Sequence, residues 1–210
     1  MIKKIDNYSR MDIFNHYNSC DNPFVITTIK IDVTDVVNYC KKNKMFYATF
    51  GYLITKTVNS IDSFKYRYEK GNIYYCDIVN SNYTEMFEDH NIGYFDVTYN
   101  EDYKTYRNEY TTIHNKFLKD KKYVGESVLD VVWLSCFPWN TFTSLIPPYN
   151  KEITIPQFIW DKYHIENGRY FVDLMILVHH GFADGYHISQ FIDLLNENIK
   201  KFGEDNLWII

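Results

Sequence analysis

The sequence of 210 residues lacks the features that define several large classes of protein. It contains no run of about 18 apolar residues, which is the length that a membrane-spanning helix needs. Its first six residues, Met-Ile-Lys-Lys-Ile-Asp, lead into polar residues and not into the apolar segment of a signal peptide. We therefore expect a soluble, cytoplasmic protein that has no membrane partner.

An excess of positive charge is also missing. The formal net charge is -5, and the lysines form only short, scattered clusters. Proteins that bind nucleic acid through its phosphates concentrate lysine and arginine on one surface. Nucleic acid is therefore not an expected partner.

Cysteine is scarce, and the four cysteines lie far apart with no C-x-x-C pair among them. A chain of this length and 46% hydrophobic content can bury a core without disulfides, so we expect free thiols. The same length favours one domain that spans residues 1–210.

Hydrophobic periodicity predicts alternating helices and strands along the whole chain. Helical spacing covers residues 7–19, 34–42, 45–61, 100–118 and 186–202. Strand patterns cover residues 24–33, 127–137, 153–160 and 169–178, together with short strands within 64–97 that are separated by predicted turns at 70–72, 80–82 and 91–93. A hairpin is predicted at 166–168. This order is typical of a single α/β domain in which helices cover one face of a mixed sheet.

The strongest functional signal is VHHGFADGYH at residues 178–187, which ends an apolar strand and precedes an amphipathic helix. Neutral imidazole is suited to general-base catalysis near pH 7, so His180 is the candidate base. The residues alone leave open that the backbone satisfies the His180 ring, and that Asp184 only caps the last helix. His179 and His180 are not expected to share a metal, because adjacent strand residues point to opposite faces.

This segment resembles the H-H-x-x-x-D-G-[FY]-H motif of the chloramphenicol acetyltransferase family. Further similarities follow in the family's order along the chain: Asn7-Tyr8-Ser9-Arg10 with Phe14 and Tyr17, Asn22-Pro23-Phe24, Phe64-Lys65-Tyr66-Arg67, Ser135-Cys136-Phe137-Pro138-Trp139, and Lys162-Tyr163. The resemblance implies a two-layer α/β sandwich, in which helices cover a mixed, mostly antiparallel sheet, as one domain over residues 1–210.

By the same resemblance, His180 removes the proton from an acceptor hydroxyl that attacks the thioester carbonyl of acetyl-CoA. Ser135 donates a hydrogen bond to the oxyanion, a contact that is typically worth about 3 kcal/mol of barrier. Asp184 pairs with Arg10 and supports the site without touching the substrate. We expect that pair to be bidentate.

The resemblance also implies binding residues and an assembly. Trp139 and Tyr163 line the coenzyme A tunnel, with Tyr163 against the adenine, and Tyr17 lines the acceptor pocket; core packing is the alternative for Tyr17 and Trp139. A homotrimer is implied, in which His180 of one chain faces a pocket built partly by its neighbour. Acetyl-CoA is the co-substrate, the acetyl group passes directly to the acceptor, and no metal cofactor is implied.

Several positions depart from the family pattern. The departures are Ile159 for a threonine, Asp161 for the glycine before Lys162, Leu-Ile-Pro-Pro at 145–148, Gly181 for a small apolar residue, Tyr8 for a tryptophan and Ile13 for a histidine. We expect O-acetylation from acetyl-CoA, with chloramphenicol as acceptor and inactivation of that antibiotic as the result. The alternatives are another hydroxyl acceptor or acyl donor, as in dihydrolipoyl acyltransferases, and a non-catalytic relative that binds coenzyme A or another ligand.

Overall fold

The computed structural model describes residues 1–122 and 129–206. The helices are α1 (Met11–Asn18), α2 (Thr34–Asn43), α3 (Phe46–Asn59), α4 (Tyr103–Asp120) and α5 (Gly185–Asn206). The strands are β1 (Ile2–Ile5), β2 (Phe24–Asp32), β3 (Tyr66–Glu69), β4 (Asn72–Cys76), β5 (Asn80–Met86), β6 (Ile92–Val97), β7 (Val131–Phe137), β8 (Gln157–Asp161), β9 (His164–Glu166) and β10 (Arg169–His179). No helix within the described ranges is long and apolar enough to cross a membrane.

The main sheet has the strand order β2-β10-β8-β7-β5-β6, and β9 pairs with β10. The β5–β7 and β7–β8 pairs are parallel, whereas the other pairs are antiparallel. A second, three-stranded sheet has the order β1-β4-β3. The predicted α/β class with a mixed, mostly antiparallel sheet is therefore confirmed.

Helices α2, α3, α4 and α5 pack against one face of the main sheet, where they enclose the large hydrophobic core. Side chains alternate across a strand, so neighbouring residues of β7 face opposite sides. Val132 and Leu134 lie in the core with the helices. Ser135 therefore points to the face opposite the helical layer.

The hairpin predicted at 166–168 is present between β9 and β10. Asn167 has φ 49° and Gly168 has φ 79°, so both residues occupy the left-handed region. Asn-Gly is the pair that tolerates this geometry best in a two-residue hairpin turn. The local sequence thus fixes the register with which β10 begins.

Three local predictions were wrong or incomplete. The turn predicted at 80–82 is part of β5, because this segment pairs through its backbone with β6 on one side and β7 on the other; the Asn82 side chain also donates to Asp96 on β6 at 2.6 Å. The strand predicted from 153 begins at Gln157. Strands β1 and β9 were not predicted, since they depend on pairing with β4 and β10. The predicted elements at 123–128 lie outside the described residues.

A buried arginine joins the small sheet to the main one. The Arg67 guanidinium is fully buried and donates hydrogen bonds of 2.8 Å to the carbonyl oxygens of Phe64, Tyr66, Leu129 and Val131. Burial lowers the pKa of Arg67 to about 10, so the side chain stays charged at neutral pH. It fixes β3 against the start of β7.

Candidate active site

The motif at 178–187 folds into a tight turn between β10 and α5. The N–H groups of Phe182 and Ala183 both donate to the His179 carbonyl, at 2.9 and 3.0 Å. Helix α1 lies directly against this turn. A Cβ atom on Gly181 would come within 2.7 Å of the Phe14 Cα atom, which explains why glycine is required there.

His179 is a structural histidine. Its ring is 1% exposed, stacks on Phe14 at 5.0 Å, and accepts a hydrogen bond at Nδ1 from the Gly181 N–H. Burial, and secondarily the nearby His180, lower the pKa of His179 to about 4. The ring is therefore neutral at pH 7. The sequence left open for His180 a ring satisfied by the backbone; this applies to His179 only at Nδ1, because its buried Nε2 atom has no hydrogen-bond partner among the described residues.

His180 is held in a different environment. Its backbone N–H donates to the Pro23 carbonyl at 2.8 Å, and its ring stacks on Tyr17 with centroids 3.8 Å apart and planes 5° from parallel. The Nδ1 atom is buried and has no hydrogen-bond partner among the described residues. Both residues line an open cavity of about 400 Å³, together with Arg10, Asp184 and residues of α1.

Arg10 and Asp184 form the expected pair, but it is not bidentate. Arg10 Nη2 donates to Asp184 Oδ2 at 2.8 Å, while Nη1 donates to the Phe182 carbonyl at 3.0 Å. The second carboxylate oxygen is already used, because Asp184 Oδ1 lies 2.8 Å from His187 Nδ1 and accepts the Tyr186 N–H at 3.1 Å. Asp184 thus caps α5 and pairs with Arg10 at the same time.

The charge of Asp184 follows from these contacts. Partial burial alone would raise its pKa, but the hydrogen bond and charge of His187, followed by Arg10, hold the pKa of Asp184 below its ordinary value. The carboxylate is therefore ionised at neutral pH. One guanidinium bonds both Asp184 and the Phe182 carbonyl. Arg10 therefore anchors to α1 the turn on which His180 lies.

Ser135 lies in a second cavity, on the sheet face opposite the helices. In the parallel register of β7 and β8, Ser135 is level with Ile159. Ile159 is in turn level with Met175 of β10. The cavity has a volume of about 600 Å³ and a largely apolar lining, which includes Trp133, Ser135, Ile159, Pro147, Asn82 and Gln157.

Ser135 and His180 are far apart within one chain. His180 lies two strands away from Ser135 and five residues beyond Met175, the residue that is level with Ser135. With a rise of about 3.3 Å per residue and about 4.8 Å between strands, the two Cα atoms are roughly 19 Å apart. A base and an oxyanion donor each need to be about 3 Å from the reacting atoms. Their side chains cannot reach one substrate from the same chain.

Trp139 and Tyr163, the predicted coenzyme A residues, are both at the surface. Trp139 follows β7 and is 56% exposed, and its ring centroid lies 5.7 Å from that of Phe137. Tyr163 lies between β8 and β9, is 42% exposed, and contacts Phe46 and Tyr170 at 5.4 and 5.7 Å. Core packing, which was the alternative for Trp139 and Tyr17, does not fit a Trp139 side chain that is 56% exposed. Tyr17 stacks on His180 and does not belong to the core.

Sequence reasoning missed the role of one motif residue and missed one further residue of the site. His187 belongs to the motif at 178–187, but its contact with Asp184 was not predicted; the signal for that contact was the i, i+3 spacing of the two residues at the start of α5. Trp133 lines the same cavity as Ser135, and its signal was the i, i+2 spacing on one strand. Both signals are too common in sequences to single out a functional residue without a structure.

Comparisons with known proteins identify one family. The family model for chloramphenicol acetyltransferase matches residues 2–196. A chloramphenicol acetyltransferase of Clostridium butyricum is 29% identical over 213 aligned positions, which cover 95% of this chain and 94% of the relative. One from Staphylococcus aureus is 28% identical over 206 positions, which cover 92% of each chain.

Solved structures show the same fold. A chloramphenicol acetyltransferase aligns with a TM-score of 0.81 at 22% identity, covering 95% of this chain and all of its own. A probable dihydrolipoamide acetyltransferase from Listeria monocytogenes aligns with a TM-score of 0.67 at 14% identity, covering 97% of each chain. Since the family model covers nearly the whole sequence, the chain belongs to the chloramphenicol acetyltransferase family.

Proposed function

We propose that the chain is an acetyl-CoA-dependent O-acetyltransferase that acetylates a hydroxyl group of chloramphenicol. The observation that carries the proposal is the His180 imidazole, which is fixed on Tyr17 at the edge of an open cavity. A general base must be held in one orientation with free access to the acceptor hydroxyl. The naming of the relatives at 25–29% identity supports the same reaction.

In the proposed reaction, His180 takes the proton of the acceptor hydroxyl while the oxygen attacks the thioester carbonyl of acetyl-CoA. The Ser135 hydroxyl donates a hydrogen bond to the oxyanion of the tetrahedral intermediate. The carbon–sulfur bond then breaks, and the imidazolium of His180 returns its proton to the leaving thiolate. The products are the acetyl ester and free coenzyme A, and no acyl-enzyme forms.

Arg10 and Asp184 support this chemistry indirectly. Neither residue needs to touch the substrate, because together they hold the turn from 180 to 184 against α1. Tyr8, which stands where the family has a tryptophan, adds a hydrogen bond of 3.2 Å from its hydroxyl to the Gly181 carbonyl. Because the backbone around His180 is held at several points, its imidazole is kept in the orientation that the reaction needs.

We infer that the working form is a homotrimer with its active sites between chains. The separation of roughly 19 Å between His180 and Ser135 means that one chain cannot supply both groups to one substrate. A cyclic trimer has heterologous interfaces, so each interface presents two different surfaces to each other. His180 of one chain would thereby meet the Ser135 cavity of the next.

Trp139 and Tyr163 are proposed to bind coenzyme A. Both rings are large, apolar and exposed, and both follow strands that flank the Ser135 cavity. Aromatic faces stack on nucleobases with about 1–3 kcal/mol per base, so Tyr163 is the proposed partner of the adenine. Tyr17 is proposed to contact the acceptor from the His180 side.

Another hydroxyl acceptor is the alternative, and Ile159 is the residue of the Ser135 cavity that bears on it. Ile159 replaces the threonine that the family usually carries, and it lies level with Ser135. An apolar side chain there removes a hydroxyl that would hold a water near the oxyanion. The loss of one such contact is expected to slow turnover about tenfold with chloramphenicol.

The test is release of thiol from acetyl-CoA with chloramphenicol and with a panel of other hydroxyl compounds. His180→Ala should lose activity by about 10²–10⁴-fold. The matched control is His90→Asn, a change in an exposed turn whose left-handed backbone (φ 65°) asparagine tolerates. If the unmodified protein releases no more coenzyme A than His180→Ala with any acceptor, the proposed function is wrong.

A further inference from the structure

A cluster of metal-ligating side chains lies on the main sheet, apart from His180 and Ser135. Asp161 ends β8, His164 begins β9 and Asp173 lies in β10, and each offers one ligand atom within 4.8 Å of the others. The strand register explains the convergence. Trp160 is level with Leu174, which brings Asp161 beside Asp173, and His164 is level with Phe171, two residues along β10.

Among the described residues, the Asp161 carboxylate has only backbone partners. It is 1% exposed and accepts hydrogen bonds from the N–H groups of Asp173 at 2.8 Å and Phe142 at 3.1 Å. Asp173 lies level with Lys30 of β2, whose charge interacts with it at longer range. Within residues 1–122 and 129–206, no lysine or arginine nitrogen forms an ion pair with either carboxylate. A buried acid beside a second acid is costly unless a cation accompanies it.

The orientation of His164 completes the set of donors. Its Nε2 atom lies 3.0 Å from Glu166 Oε1, and Glu166 in turn pairs with Lys30 Nζ at 2.6 Å. A carboxylate accepts the N–H proton, so Nε2 carries hydrogen and Nδ1 carries the lone pair. Nδ1 is buried and has no hydrogen-bond partner among the described residues. Metal-binding histidines are oriented in this way by a carboxylate on the far ring nitrogen.

We propose that Asp161, His164 and Asp173 bind a divalent transition-metal ion of the zinc type, with Glu166 as the outer partner of His164. One imidazole and two carboxylates suit zinc better than magnesium or calcium, which prefer oxygen ligands alone. Ligand atoms at about 2.1 Å from a tetrahedral ion are about 3.4 Å apart, so the three atoms, which lie within 4.8 Å of one another, would have to approach by up to about 1.4 Å through side-chain rotation.

The proposed ion has a structural role and takes no part in the acetyl-transfer step itself. It would join the β8–β9 turn, which carries Tyr163, to β10. Through the hydrogen bond from the Phe142 N–H to Asp161, it would also hold the segment that follows β7. Asp161 stands where the family usually has glycine, so the site would be a property of this chain and not of the fold.

The first experiment is a calorimetric titration of chelator-treated full-length protein with Zn²⁺. We expect one ion per chain, with binding weakened at least 100-fold in Asp161→Asn, His164→Gln and Asp173→Asn. Glu166→Gln should weaken binding by about 10–100-fold, as other outer-shell changes do. The matched controls are Asp32→Asn, which removes the charge that pairs with Arg169 and leaves an oxygen to accept the Thr34 N–H, and His90→Asn; both should bind zinc unchanged.

A second readout separates the proposed site from chance surface binding. Zn²⁺ should raise the melting temperature of the unmodified protein and of both controls, but not of the three ligand variants. His164 and Asp173 are partly exposed, so their variants test the site even if Asp161→Asn does not fold. Equal binding by the unmodified protein and the ligand variants, or no binding by any of them, would overturn the proposal. Neither result depends on the acetyltransferase activity.

Discussion

The inference of an active site between chains predicts that two inactive variants restore each other's activity. Ser135→Ala removes the oxyanion donor, which is expected to lower turnover by about 10²–10³-fold. His180→Ala removes the base and should lower it by about 10²–10⁴-fold. Each parent protein is then nearly inactive by itself, while both keep the other catalytic group.

The size of the recovery follows from the geometry of the ring. Because the two groups are roughly 19 Å apart in one chain, each site of the proposed trimer would combine His180 of one chain with Ser135 of the next. Purification through two tags keeps only rings that contain both variants, and in a trimer of either composition one interface in three has the required neighbour order. The mixed sample should therefore regain about one third of the unmodified activity, far above the sum of the parents.

The assay is thiol release from acetyl-CoA after the two variants are unfolded together, refolded and purified through two different affinity tags. The control mixture contains His180→Ala and the double variant His180→Ala/Ser135→Ala, in which no interface has a base. It should stay inactive. If a sample that carries both tags releases thiol no faster than the control mixture, the inference of an active site between chains is refuted.

Three further predictions concern stability and rate. The pKa of His179 is lowered from 6.5 to about 4, so its neutral form stabilises the fold fully above pH 6.5 and this contribution is lost as the pH falls. In urea unfolding, the free energy of unfolding should fall by about 3 kcal/mol between pH 7 and pH 4, and His179→Gln should lack this fall. If stability depends on pH in the same way in both proteins, the lowered pKa of His179 is contradicted. Arg10→Ala should lower the free energy of unfolding by about 1–2 kcal/mol and lower the turnover as well. Unchanged calorimetric melting and unchanged turnover would contradict the anchoring role of Arg10. Ile159→Thr should raise turnover of chloramphenicol about tenfold in steady-state assays, and no gain would favour another acceptor.

The buried arginine provides one more test, of the join between the two sheets. Arg67→Met removes four hydrogen bonds to backbone carbonyls and leaves those carbonyls buried, so the free energy of unfolding should fall by about 3–5 kcal/mol. Arg67→Lys is the control, because it keeps the charge but cannot donate in four directions. If the denaturation curves of both variants match that of the unmodified protein, the four hydrogen bonds of Arg67 contribute nothing to the stability of the fold.

Local patterns in the sequence determined much of the architecture. The β-branched and apolar runs predicted β2 and β10, the three-to-four spacing predicted α3 and α5, and Asn167-Gly168 predicted the last hairpin. These features depend on residues that are close in sequence, so their physical causes are visible there. The motif at 178–187 and its companions also predicted the family, the base at His180 and the pairing of Arg10 with Asp184.

Long-range register decided the rest. Strands β1 and β9 form only because other strands offer free edges, and Asn82 belongs to a strand because β6 and β7 pair with it on either side. The sharing of Asp184 between Arg10 and His187 depends on how α1 meets α5.

The distance between His180 and Ser135, and the meeting of Asp161 with His164 and Asp173, follow from strand order and register together. A motif therefore determined which chemistry the chain carries. Only the tertiary structure decided which groups can act together, because the sheet sets distances that spacing along the chain does not contain.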